Sequence, residues 1–233
     1  MKKVAHIILI IISTGTVLFG QSAADADIAK LPINAITSNS DRQKPFILYI
    51  TGDGGWNKFS QKFAQTMADN GYPTLSLNAA KYFWDKKSPE QAAYDVSKLI
   101  KAYMKEWNRK EVILAGYSFG ADVMPFVYTR LSAEIAAGIK NVVLLAPSPN
   151  ADFEIHLIVL LGGKSNGPSV PSEINKITGK PILIVLADDD DDFPLNRLTI
   201  KNYSTIKLPG GHHYDGDVIS VCTAIASKLA GKK

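Results

Sequence analysis

The chain has 233 residues, 46% of them hydrophobic and 21% charged, with a formal net charge of +4. That length supports one domain with a substantial core, and the composition is that of a globular chain, not a disordered or fibrous one. The weak basic balance makes no case for nucleic acid, and the single cysteine, Cys222, excludes an internal disulfide.

Residues 1–24 read as a secretory signal peptide. Lys2 and Lys3 form a positive start, Val4 to Gly20 is mostly apolar with its centre at Ile8 to Ile12, and small residues follow at Ser22, Ala23, Ala24 and Ala26. Cleavage is expected after Ala24, with Ala26 as the neighbouring choice. The alternative is an uncleaved anchor, for which the apolar run is barely long enough. Loss of Lys2 and Lys3, with no acid in the segment, lowers the net charge from +4 to +2. Residues 25–40 read as a polar N-terminal tail with an edge strand near Leu31 to Ile36, and residues 41–233 as the folded domain.

Short apolar runs then alternate with helical patterns. Phe46 to Ile50 predicts a strand running into Thr51-Gly52-Asp53-Gly54-Gly55. Phe59, Phe63 and Met67 recur on one helix face, and Asn70-Gly71 with Pro73 stops that helix. Thr74 to Leu77 predicts the next strand. Ser88-Pro89-Glu90-Gln91 is a helix start, with Ser as the cap and Pro in the first turn; Val96, Leu99, Ile100, Tyr103 and Trp107 are its apolar stripe. Further strands are predicted at Glu111 to Ala115, Asn141 to Leu145, Ile182 to Leu186 and Ser204 to Leu208. A closing helix carries Val218, Val221, Cys222, Ile225 and Leu229, which makes Cys222 a buried, inert thiol. The alternation implies an α/β fold, a mostly parallel sheet with helices on both faces. Ligands of such sheets lie beyond the carboxyl ends of the strands.

Gly116-Tyr117-Ser118-Phe119-Gly120 follows a predicted strand and precedes a helical pattern. This is the setting of the nucleophile elbow, a turn so tight that only glycine fits on either side, and it makes Ser118 the candidate nucleophile. A serine needs a base. His6 leaves with the signal peptide and His156 lies in the apolar segment Phe153 to Leu161. His212 and His213 follow the last strand in Pro209-Gly210-Gly211-His212-His213, and spacing from Gly210 favours His213 as the base, with His212 beside it as the alternative. The acid is expected just after the strand that ends at Ala187, in the run Asp188 to Asp192. A position three residues past Ala187, with Pro194 four residues further on, selects Asp190 and leaves Asp189 and Asp191 as alternatives. The run has no glycine to shape a calcium loop, so neither a metal nor a cofactor is called for. Its extra aspartates would attract a cationic group on a substrate. The order Ser118, Asp190, His213 is that of the α/β-hydrolase fold. The oxyanion hole is expected from the N–H of Phe119 and from one at Asp53 or Gly54, each worth about 3 kcal/mol in the transition state. Trp56 either walls the pocket or packs beside it.

Gly52-Asp53-Gly54-Gly55-Trp56, Tyr82-Phe83-Trp84, Gly116 to Asp122 and Pro209 to Asp217 together resemble the bacterial VirJ/AcvB virulence-protein family, from about Leu31 to the C-terminus, in the short single-domain form. The resemblance implies a periplasmic α/β-hydrolase. It also implies hydrolysis of aminoacylated phosphatidylglycerol, chiefly the lysyl form, at the membrane surface. The family pattern places the nucleophile at Ser118, the base at His213 and the acid within 188–192. The sequence departs from that pattern at Ala187, where a glycine is usual, and at Asn78 and Ala79, where an acidic pattern is expected. Residues 147–180 occupy the cap position, where the apolar Phe153 to Leu161 would meet acyl chains or pack beneath the cap. Two other readings share the fold: a non-catalytic periplasmic accessory of a secretion system, with secretion proteins as partners, and a general carboxylesterase.

Overall fold

The computed structural model describes residues 27–38, 44–155, 166–190 and 192–231. The signal peptide expected over residues 1–24, His156 and Asp191 lie outside the described residues. Seven strands form one sheet: β1 (Ile33–Ile36), β2 (Phe46–Ile50), β3 (Thr74–Leu77), β4 (Val112–Tyr117), β5 (Ile139–Leu145), β6 (Ile182–Ala187) and β7 (Tyr203–Leu208). Their spatial order is β1-β3-β2-β4-β5-β6-β7. β1 pairs antiparallel with β3, and every other pairing is parallel. The edge strand therefore comes from the segment read as a tail, and the fold reaches back past residue 41. Ile33 and Ile36 pair with Leu77 and Thr74, which covers that edge of β3.

The central strands are buried on both faces, as a parallel sheet between helices requires. Alternate residues split between two cores. Phe46, Leu48 and Ile50 join Leu99, Val123 and Ile174 on one face. Ile47 and Tyr49 join Phe63, Met67, Val221 and Cys222 on the other. The first face is covered by α3 (Pro89–Glu106), α4 (Phe119–Tyr128) and α6 (Val170–Ile174), the second by α1 (Lys58–Asp69) and α7 (Val218–Leu229). Short helices α2 (Ala79–Tyr82) and α5 (Ala133–Ala137) complete the connections. The Ser88 hydroxyl accepts the Gln91 N–H at 3.1 Å, and Pro89 opens α3, as the sequence pattern requires. Cys222 is buried, and burial pushes its thiol up to about 12, which leaves it un-ionised.

β4 runs two residues beyond the expected Glu111 to Ala115, because Gly116 and Tyr117 still pair with Leu144 and Leu145 of β5. Glycine is a poor strand former, and pairing with the neighbouring strand carries β4 through it to Tyr117. Of the apolar segment in the cap position, Phe153 packs edge-on against Phe83 and Phe126, and Ile155 is buried. That end of the segment is core, and residues 156–161 lie outside the described residues.

Candidate active site

Ser118 sits between β4 and α4 at φ 51°, ψ −120°, a backbone conformation that costs on the order of 1–3 kcal/mol for a residue with a side chain. Its surroundings hold it there. The Ser118 N–H continues the sheet ladder to the Leu145 carbonyl at 2.8 Å, while its own carbonyl accepts from the Ala121 and Asp122 N–H groups at 2.7 and 3.0 Å. The two motif glycines make the close approach possible. A Cβ on Gly116 would lie 2.2 Å from the Gly120 carbonyl oxygen, and one on Gly120 would lie 2.1 Å from the Ile50 oxygen. Both obstacles are backbone, so no side-chain movement relieves them.

The imidazole facing Ser118 is that of His212, where His213 was expected. His212 Nε2 lies 2.7 Å from the Ser118 hydroxyl, and His212 Nδ1 lies 2.5 Å from an Asp190 carboxylate oxygen. Counting from Gly210 fails because the loop folds into a turn at once. Gly210 adopts φ +95°, and the Tyr214 N–H donates to the Gly211 carbonyl at 2.7 Å. That turn presents the imidazole at 212 to the sheet end and leaves His213 exposed, with its Nδ1 against the Tyr117 hydroxyl. Tyr214, fully buried, anchors the loop by donating to the Val185 carbonyl of β6 at 2.9 Å.

Asp190 is selected from its run by sheet pairing. The Asp188 and Asp189 N–H groups donate to the Leu208 and Gly210 carbonyls, which carries the β6–β7 pairing past the strand ends and leaves both side chains exposed. The Asp190 N–H then turns back to the Ala187 carbonyl at 3.3 Å, and its half-buried carboxylate meets the imidazole. Asp189 is therefore placed away from the imidazole by its backbone, and Asp191 lies outside the described residues.

Phe119 opens α4 directly after Ser118, so its N–H is one of the helix's first-turn donors with no partner within the helix. The loop after β2 lies against the elbow: a Cβ on Gly120 would be 2.6 Å from the Thr51 oxygen, and one on Gly52 would be 3.2 Å from the Tyr117 ring. Asp53 and Gly54 are carried on this loop, half-buried and exposed. Trp56 lines an open cleft of about 430 Å³ together with Gly54 and Gly55 of the same loop and with Pro32, Asn78 and Lys81. Asn78, one of the departures from the family pattern, caps α2 by accepting the Lys81 N–H at 3.3 Å.

Two residues of the site carry no assignment from motif reading. Asp122, four residues past the nucleophile, is almost fully buried, and its carboxylate accepts the Ser148 N–H at 2.6 Å. Burial above all, with the charges of Asp152 and Asp53 beside it and the Ser148 hydrogen bonding opposing, raises its pKa to about 8. Tyr117 is the other; burial, with the charges of Asp53 and Asp190, pushes its phenol well above its ordinary value. An acid inside an otherwise apolar helix start was the available signal for Asp122. Nothing local marks Tyr117.

A hydroxyl, an imidazole and a carboxylate in this order can transfer an acyl group: the imidazole takes the serine proton and the carboxylate steadies the resulting imidazolium. Among known proteins, a family model for a bacterial virulence protein, VirJ, matches residues 44–233. No curated protein sequence matches the chain. Est1E from Butyrivibrio proteoclasticus, in its ferulic acid complex, superposes with a TM-score of 0.60 at 17% identity, covering 86% of this chain and 95% of its own. MenH from S. aureus gives 0.62 at 14% identity, covering 86% of this chain and 98% of its own. An alpha-beta serine hydrolase homologue from Coxiella burnetii gives 0.58 at 17%, covering 84% and 90%. At these identities the likeness is one of fold, the α/β-hydrolase fold.

Proposed function

The chain belongs to the VirJ family of bacterial virulence proteins, and from that premise we propose that it is a serine hydrolase that cleaves a carboxylic ester. Hydrogen bonding of His212 to both Ser118 and Asp190 is the observation that carries the proposal. In the first step the Ser118 hydroxyl attacks the ester carbonyl while His212 Nε2 removes its proton. Negative charge then develops on the carbonyl oxygen, and the Phe119 N–H, with a second donor at Asp53 or Gly54, receives it. His212 returns the proton to the leaving alcohol, which departs and leaves an acyl-enzyme. Water, deprotonated by the same imidazole, releases the acid and restores Ser118.

The substrate we propose is an aminoacylated anionic phospholipid, lysyl-phosphatidylglycerol, met at a membrane surface in the periplasm after export through residues 1–24. Two features support it. The family resemblance points to that lipid. The charges of Asp53 and Asp152 raise the pKa of Asp122, and those of Asp53 and Asp190 that of Tyr117, the neighbour of Ser118; such a negative field favours an ester whose acyl part carries ammonium groups.

Labelling with a fluorophosphonate probe tests the hydrolase. Ser118 should be the modified residue, and the intact protein failing to label would leave the accessory role as the better account. Lipid extracts of cells expressing the wild type or Ser118→Ala test the substrate. Lysyl-phosphatidylglycerol should accumulate with the variant; equal levels, with labelling intact, would favour a general carboxylesterase.

A further inference from the structure

Tyr117 stands directly before the nucleophile on β4, and its hydroxyl reaches two groups on the loop that carries His212. One is the His212 carbonyl oxygen, at 3.2 Å, and the other is Nδ1 of His213. A phenol has one proton, and a carbonyl oxygen only accepts. The hydroxyl therefore donates to the His212 carbonyl, and its oxygen accepts from His213, whose Nδ1 carries a proton. This is the one assignment that satisfies all three groups. The opposite assignment, with the phenol donating to His213, sets two oxygen lone pairs against each other. The ring has no freedom to turn away: Phe59 stacks on it with centroids 4.3 Å apart, and Gly52 lies against its edge.

We propose that Tyr117 and His213 are positioning residues. They brace the backbone of His212 from the strand that leads into Ser118, and His213 is held as its Nδ1–H tautomer. The proposal rests on the reading of Ser118, His212 and Asp190 as a catalytic triad. It explains why adjacent histidines have different tasks: one ring faces the nucleophile, and the other locks the peptide that carries the first. The brace touches neither acyl nor leaving group, so it acts on the chemical step and not on substrate affinity. Displacement of a catalytic group by about 1 Å costs up to about 100-fold in rate, and loosening one of several tethers is expected to cost about ten-fold.

The experiment combines fluorophosphonate inactivation kinetics with ¹⁵N NMR of the histidine side chains, on the intact protein and on Tyr117→Phe, His213→Ala and His213→Gln. The expected result is an inactivation rate constant about ten-fold lower for Tyr117→Phe and His213→Ala, with unchanged half-saturating probe concentration. His213→Gln, whose amide can donate to the phenol oxygen, should recover most of the loss. In the wild type His213 should appear as the Nδ1–H tautomer, a preference that Tyr117→Phe should abolish. Wild-type rates in both Tyr117→Phe and His213→Ala, or an Nε2–H tautomer of His213 in the wild type, would overturn the brace. Should Tyr117→Phe not fold, the exposed His213 variants carry the kinetic arm alone. Should the wild type itself not label, the triad reading fails, and the tautomer still decides whether the brace exists.

Discussion

Ser118 and His212 lie 94 positions apart in the chain, yet the serine hydroxyl and the imidazole Nε2 are 2.7 Å from one another. Two tethers on the histidine loop bring them there: the Tyr214 hydroxyl on the Val185 carbonyl of β6 and the Tyr117 hydroxyl on the His212 carbonyl. The adjacent imidazole of His213 has no such access to the nucleophile.

His212→Ala is expected to reduce ester turnover by about 10⁴-fold or more, because the serine loses the imidazole that contacts it and the triad acts as a unit. His213→Ala is expected to cost only about ten-fold, through the brace and not through proton transfer. Steady-state hydrolysis of an activated short-chain ester by the two variants measures the difference, and a reversed ranking would return the base to position 213.

Asp190→Asn is expected to lower kcat by ~10³–10⁴-fold, since the amide neither stabilises the imidazolium nor enforces the tautomer. Asp189→Asn should stay within about two-fold of the wild type, because what Asp189 contributes to the loop is its backbone N–H, donated to the Gly210 carbonyl at 3.1 Å. Comparing the two kcat values distinguishes a triad acid from a general acidic field.

Gly120→Ala places a methyl carbon 2.1 Å from the Ile50 carbonyl oxygen, with a second backbone oxygen at 2.6 Å. Neither strand nor helix can yield without breaking sheet or helix hydrogen bonds. The expected loss is about 3 kcal/mol or more, which corresponds to a Tm lowered by roughly 6–12 °C for a domain of this size. Differential scanning calorimetry reads it directly.

Asp122 makes stability depend on pH. Its carboxyl titrates at about 8 in the folded protein because burial disfavours its charge, and at ~3.9 in the unfolded chain. Between those values the folded state holds a proton that the unfolded state has released. Its contribution is therefore complete below about pH 4 and declines as pH rises toward 8. Asp122→Asn keeps an acceptor for the Ser148 N–H and removes the titration. Its Tm should fall less than that of the wild type between pH 5 and pH 8, and parallel curves would assign the slope to other groups.

The sequence by itself determined every feature that depends on neighbours along the chain. Short apolar runs set the strands, the Ser88 cap and Asn70-Gly71 set helix ends, and Gly116 and Gly120 around Ser118 required an elbow, since no larger residue fits there. Only the tertiary structure decided which member of a crowded set meets the nucleophile. His212 and His213 are equivalent as composition, as are the aspartates from 188 onward. Their roles follow from the direction in which each side chain leaves the backbone, and that direction is set by pairing of residues 188–189 with the end of β7 and by the turn over 211–214. The extra length of β4 and the reach of Tyr117 to the histidine loop have the same origin, because both depend on strands that the chain brings alongside only after folding.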